Sequence, residues 1–275
     1  MTRRLLSAAA AAAVTLALCG SAGPGTRPPR WDHVVVVIEE NHSASQVMGN
    51  PYLSSLAARG ASFSAMYGIT HPSQPNYLAL FSGSTQGVKD DGMYDLDVPN
   101  LATSLAAAGL SFATYSEGLP SPGSRASVSG LYVRKHNPCA SFTNVPGSVN
   151  LPFHSLPADF SRLPTVSFVI PDLRHDMHDG SVAEGDAWLR ENLDGYARWA
   201  PANKSLLVIT FDECAGRDPV PSTPIATILV GASVRQAVSP QRVTLYSLLR
   251  MIDEVYGLPI LGEEGTAPRI AGVWN

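Results

Sequence analysis

The chain reads as an α/β protein: a mostly parallel sheet with helices on both faces, a three-layer sandwich. Three observations predict this. Apolar runs of strand length alternate with amphipathic segments of helical period. The strand runs, such as VVVVI at 34–38, carry no polar face, as expected of strands covered from both sides. The 275 residues are 45% hydrophobic, enough to fill a full core.

The elements follow in order. HVVVVI (33–38) is a buried strand, and PYLSSLAARG (51–60) is a helix closed by Gly60. PNYLALFSG (75–83) is a short helix with Pro75 in its first turn. NLATSLAAAG (100–109) is a third helix, and SFATYS (111–116) the strand after it. Residues 117–164 are rich in Pro, Gly and Ser and read as an irregular, cap-like excursion. Strand TVSFVIP (165–171), a long helix from Val182 to Trp199, strand SLLVITF (205–211), strand PIATILVG (224–231) and helix VTLYSLLRMIDEVYG (243–257) complete the chain. Val182, Leu189, Leu193 and Tyr196 share one face of the long helix. With no repeat and no linker, residues 30–275 are expected to form a single domain.

Residues 1–22 read as an export signal: Arg3 and Arg4, an apolar stretch from Leu5 to Leu18 too short for a good membrane span, then small residues. Losing both arginines takes the formal charge from −4 to −6. The expectation is a secreted or cell-envelope protein with no stable membrane span. A lipid anchor on Cys19 ranks below plain secretion, because Leu18 stands where a small residue is wanted. The acidic balance, with no basic run after the signal, argues against a nucleic-acid partner. Cys139 and Cys214 then remain. In an oxidising compartment they suit a disulfide, and two buried thiols are the alternative.

Three strands end in potential ligands. The first runs into Glu39-Glu40-Asn41, the strand at 165–171 into Asp172 and RHDMHDG, and the strand at 205–211 into Asp212-Glu213. In a parallel sheet these ends share one edge, where ligands bind. Carboxylates gathered there must shift their pKa values or bind a cation. Carboxylates with an amide and an imidazole suit a divalent metal such as Mg, Mn, Ca or Zn. Ser73, in THPSQPNY just before a helix, becomes a strong nucleophile if a metal lowers its pKa. The helix N-terminus favours an anion beside it, and Asn76 can donate to a phosphoryl oxygen. An ordinary helix cap followed by core residues explains this segment equally well. No G-x-S-x-G elbow occurs, which argues against a serine esterase. In LYVRKHNP (131–138), His136 can neutralise phosphate charge or protonate a leaving group, while Arg134 fits a solvated loop.

The stretches VVVVIEENHS, HPSQPNYLALFSG, YVRKHNP, IPDLRHDMHDG, VITFDE and YSLLRMIDEVYGLP resemble the bacterial phosphoesterase family of acid phosphatases and phospholipases C, a branch of the alkaline-phosphatase superfamily. They span residues 34–259. The resemblance implies an alkaline-phosphatase-like fold and a divalent metal held by Glu40, Asn41, Ser73, Asp212 and Glu213. It implies Ser73 as nucleophile, and His136 and His178 as groups on the phosphoryl. Asn76, His71 and Lys135 are expected at the substrate, with His71 the less certain. Asp172 and Asp176 are expected to hold a second metal or to orient His178. Glu39 faces away from Glu40 and reads as structural. Relatives often carry His where this chain has Leu245, so one metal is expected, with room for a second in doubt. The implied activity is hydrolysis of phosphomonoesters through a phosphoserine. Phospholipase C or phosphodiester hydrolysis, on a small phosphoester or a phospholipid headgroup, is the alternative. A non-catalytic secreted binding protein is the rival from another class.

Overall fold

The computed structural model describes residues 27–216 and 218–275. The signal-like segment and Cys19 lie outside them. The strands are β1 (His33–Glu39), β2 (Ala61–Phe63), β3 (Met66–Tyr67), β4 (Phe112–Ser116), β5 (Val128–Ser129), β6 (Tyr132–Val133), β7 (Asn150–Pro152), β8 (Val166–Ile170), β9 (Ser205–Phe211), β10 (Thr227–Gly231), β11 (Ala237–Ser239) and β12 (Val243–Thr244). The α-helices are α1 (Ala44–Val47), α2 (Pro51–Arg59), α3 (Ser73–Ser82), α4 (Leu101–Ala107), α5 (Pro138–Ser141), α6 (Val182–Trp199) and α7 (Leu245–Tyr256).

Eight strands form one sheet in the order β11-β2-β10-β9-β1-β8-β4-β7. All pairs are parallel except those that β10 makes with β9 and β2. The hydrophobic run of β10 is as expected, but its direction is reversed, because periodicity carries no information on direction. Helices α2 and α6 pack together on one face, and α3, α4 and α7 lie on the other. Val34 to Ile38 are each at most 1% exposed, as strands covered by helices on both sides must be. Above β4 and β8, Phe81 packs on Phe112 and Phe168 with ring centroids at 5.4 and 6.0 Å. The buried residues form one continuous core, which includes Leu189, Leu193 and Tyr196 of α6.

Local chemistry sets the helix ends. Ser181 and Glu184 cap α6 reciprocally. Gly83 ends α3 at φ +69°, where a side chain would also strike the Leu261 carbonyl. The excursion at 117–164 is built from the β5–β6 hairpin, short helices and β7, which forms the sheet edge. Arg134 within it is buried, not solvated. Its guanidinium donates to the Tyr94 carbonyl and the Asp95 carboxylate and ties the hairpin to the 84–99 loop.

The disulfide expectation is corrected. Cys139 and Cys214 are both buried free thiols. Cys139 lies by Thr114 of β4, whereas Cys214 follows β9. Those strands are three places apart, about 14 Å at ~4.8 Å per strand. A disulfide needs Cα atoms within roughly 7 Å.

One buried pair makes stability depend on pH. Asp253 on α7 and Glu264 are both buried, and neither oxygen of Asp253 has a hydrogen-bond partner among the described residues. Burial, and then the Glu264 charge, push Asp253 up to about 9. A raised folded-state pKa means the stabilising proton is held fully at low pH. Its contribution fades as pH rises from the unfolded value of 3.8 through about 9. Asp253→Asn should therefore raise Tm by roughly 2–6 °C at about pH 8 and by much less at about pH 5. Thermal melts at the two pH values check this.

Candidate active site

The three acidic strand ends meet as expected, because β9, β1 and β8 are adjacent and parallel. Their carboxyl ends form one rim. Asn41 turns there with φ +52°, a left-handed conformation that Asn tolerates, and its backbone N–H donates to Asp212 Oδ1 at 3.3 Å. Gly68 comes so close to the Asp212 carbonyl that a Cβ there would lie at 2.7 Å, which lets the 68–72 loop reach the rim. Helix α3 starts at Ser73 itself, two residues earlier than Pro75 alone suggests.

Ser73 is 2% exposed. Its Oγ donates to Glu40 Oε2 at 2.8 Å and stands 3.4 Å from Glu213 Oε1. Asp212 Oδ2 is buried with no partner. Burial, and then neighbouring carboxylates, drive Glu40 well above its usual range and Glu213 up to about 9, while burial leads in pushing Asp212 up to about 7. Three buried carboxylates around one hydroxyl, one with an orphaned oxygen, repel one another. No Lys or Arg pairs with Glu40, Asp212 or Glu213 among the described residues. This donor set fits a divalent cation held by Glu40, Asp212, Glu213 and Ser73, with the Asn41 side chain at the same turn.

His136 faces the same point. Its Nδ1 lies 3.1 Å from Asp176 Oδ2 and its Nε2 lies 3.1 Å from Glu40 Oε1. Burial, with the Lys135 and His178 charges, holds it well below its usual range, so the ring is neutral. With the proton on Nδ1 toward Asp176, the Nε2 lone pair faces Glu40, and Nε2 has no well-aligned hydrogen bond. His178 brings a ring nitrogen within 4.8 Å of the Glu40 and His136 ligand atoms, so these three also have metal-ligand spacing. His178 Nδ1 pairs with Asp179 at 2.7 Å. Asp176 serves both histidines, since its Oδ1 accepts from the His178 backbone N–H at 2.8 Å. Burial pushes Asp176 up to about 8.

The remaining expected residues have other surroundings. Asn76 ties the loop before the nucleophile to the site: Oδ1 accepts from Ile69 and Thr70, and Nδ2 donates to the Thr70 and Pro72 carbonyls and, at 3.4 Å, to Glu213 Oε2. His71 is 2.8 Å from Glu213 Oε2 through Nδ1 and 2.9 Å from the Asp218 carbonyl through Nε2, so both ring nitrogens have protein partners. Lys135 donates to Asp91 at 3.0 Å, and Asp91 also accepts from the Gln74 backbone N–H beside the nucleophile. Asp172 is drawn away from His178 to Glu117 and His175.

Tyr77 was not predicted. One helical turn after Ser73, its hydroxyl donates to Glu40 Oε1 at 2.6 Å and its ring stacks on His136 at 5.3 Å. The i, i+4 spacing from Ser73 was a usable signal, but an aromatic inside an apolar helix reads as core. Tyr77→Phe should cost roughly 10–100-fold in activity or metal affinity, as losing an outer partner of a ligand does. Initial rates with a metal titration would check it.

Similarity to known proteins extends over most of the chain. A phosphatidylinositol-3-phosphatase of Mycobacterium tuberculosis is 43% identical over 256 residues, covering 90% of this chain and 84% of that protein. An acid phosphatase of Aspergillus fumigatus is 28% identical over 250 residues, covering 81% of this chain but only 54% of that protein. By structure, a protein of the alkaline phosphatase superfamily from Vibrio parahaemolyticus superposes with TM-score 0.62 at 14% identity, covering 90% of this chain and 72% of that one. A phosphonate monoester hydrolase from Silicibacter pomeroyi gives 0.55 at 12% identity, with 83% and 74% covered. These likenesses show the alkaline-phosphatase-like fold. The profile of the Phosphoesterase family matches residues 50–259. The chain belongs to the phosphoesterase family and is a hydrolase of phosphoric esters.

Proposed function

We propose that the protein is an exported, metal-dependent phosphomonoesterase that works through a phosphoserine at Ser73. The observation that carries this reading is the Ser73 hydroxyl at a helix N-terminus, 2.8 Å from Glu40 and beside Asp212 and Glu213. When bound among these residues, a divalent cation lowers the pKa of the serine hydroxyl and offsets phosphoryl charge. Ser73 Oγ passes its proton to Glu40 Oε2, to which it already donates, and forms a bond to phosphorus as the bond to the ester oxygen breaks. The amide end of α3 faces the phosphoryl oxygens. His178, half-exposed and oriented by Asp179, hands a proton to the leaving oxygen, while neutral His136, its Nε2 lone pair beside Glu40, would add a nitrogen ligand to the cation. Water then splits the phosphoserine and returns the Ser73 hydroxyl.

The names of the relatives favour monoesters, since they are those of phosphatases, not of phospholipases or diesterases. The 43% relative adds a specific substrate reading, a phosphate monoester on a lipid headgroup. No helix among the described residues is long and apolar enough to cross a membrane, so a lipid substrate would be met at a surface. Initial rates on a nitrophenyl phosphate, on its diester and on phosphatidylinositol 3-phosphate in mixed micelles separate these readings. The monoester should exceed the diester by at least roughly tenfold. A faster diester would overturn the monoesterase reading, and a lipid monoester preferred over the nitrophenyl ester would make the lipid the substrate class.

A further inference from the structure

We propose that Glu117, Asp172 and His175 form a second divalent-cation site, separate from the one at Ser73, where β4 and β8 end beneath α6. One carboxylate oxygen of Glu117, one of Asp172 and a ring nitrogen of His175 all lie within 4.8 Å of one another. His175 Nδ1 is 2.9 Å from Glu117 Oε2 and 3.3 Å from Asp172 Oδ1. The ligands are preset. Trp188 Nε1 donates to Glu117 Oε1 at 3.2 Å, and the Trp188 ring stacks on the His175 ring at 6.0 Å. All three residues are half-buried, so an ion can enter from solvent.

An independent observation points to a missing positive charge. Glu39 is completely buried, and neither of its carboxylate oxygens has a hydrogen-bond partner among the described residues. Continuing the register of Val37 with Val169 and of Ser116 with Ile170 places Glu39 and Glu117 level with residue 171. Both side chains therefore leave the same face of the sheet, the one opposite to Glu40, from strands separated by β8. Glu39, Glu117 and Asp172 have no Lys or Arg partner among the described residues. Two carboxylates with one imidazole suit a borderline ion, Zn²⁺ or Mn²⁺, over Ca²⁺, which prefers oxygen alone. Such an ion would bind β4 and β8 to the loop that carries Asp176 and His178 without touching the reacting atoms.

The test is metal stoichiometry on chelated, full-length protein titrated with Mn²⁺ and with Zn²⁺. The wild type should take up two equivalents. Asp212→Asn should lose the equivalent at Ser73 and keep the other. Glu117→Gln should weaken the other roughly 10–100-fold or more while retaining phosphoester turnover. A single equivalent in the wild type, or two equivalents untouched by Glu117→Gln, would overturn the site and leave a plain ion-pair network around His175. If Glu117→Gln fails to fold, anomalous diffraction from Zn²⁺-soaked wild-type crystals decides: a peak among Glu117, Asp172 and His175 supports the site, and its absence overturns it. Because Ser73 turnover is read separately, failure here leaves the catalytic reading standing.

Discussion

Replacing Ser73 with alanine should lower kcat/KM for a nitrophenyl phosphate by roughly 10³–10⁶-fold, the scale at which removal of a covalent nucleophile acts. The fold should survive. The side chain is a small buried hydroxyl at the first position of α3, and the helix is held by its own backbone and by the Phe81 packing. The loss is one donor to Glu40 Oε2, worth about 1 kcal/mol. Circular dichroism and a melting curve alongside the kinetics would separate loss of chemistry from loss of structure. A folded variant with wild-type turnover would mean that another group attacks phosphorus.

Removing the divalent cation should be as damaging. Glu40, Asp212 and Glu213 are buried together, and Asp212 Oδ2 has no hydrogen-bond partner among the described residues. Chelation should therefore abolish turnover, and one added metal should restore it. Asp212→Asn should weaken metal affinity by more than the roughly 10–100-fold that loss of an outer partner costs. Calorimetric titration reads the affinity without relying on activity. Turnover unaffected by exhaustive chelation, with no metal left by elemental analysis, would remove the cation from the mechanism.

Much of this site was legible in the sequence, because fully buried strands announce themselves as apolar runs and a charged residue straight after one stands at the sheet edge. That logic brought Glu40, Asp212 and Glu213 together before any coordinates. It failed where neighbouring residues diverge. Asp172 and Asp176 lie four positions apart, yet one joins Glu117 and His175 while the other pairs with His136. The turn between them, not the spacing, decides which way each points. Tyr77 was hidden by its apolar helix. Asn76 was read as a substrate donor because a free amide can donate, but its amide binds the irregular loop at 69–72 and Glu213. Arg134 reads as solvated until the partner loop is placed, and its anchors, Tyr94 and Asp95, are forty residues away in the chain. The reversed β10 shows the limit for topology: composition marks a strand, and only the length and path of the 212–226 connection set its direction.

In the proposed mechanism Ser73 carries the phosphoryl group. Rapid quenching in acid during turnover, followed by mass spectrometry of the peptide containing residues 71–77, tests this. A phosphoryl adduct on Ser73 should appear with substrate, disappear on chase and be missing from Ser73→Ala. Turnover with no adduct at any quench time, or an adduct on another residue that persists in Ser73→Ala, would contradict it.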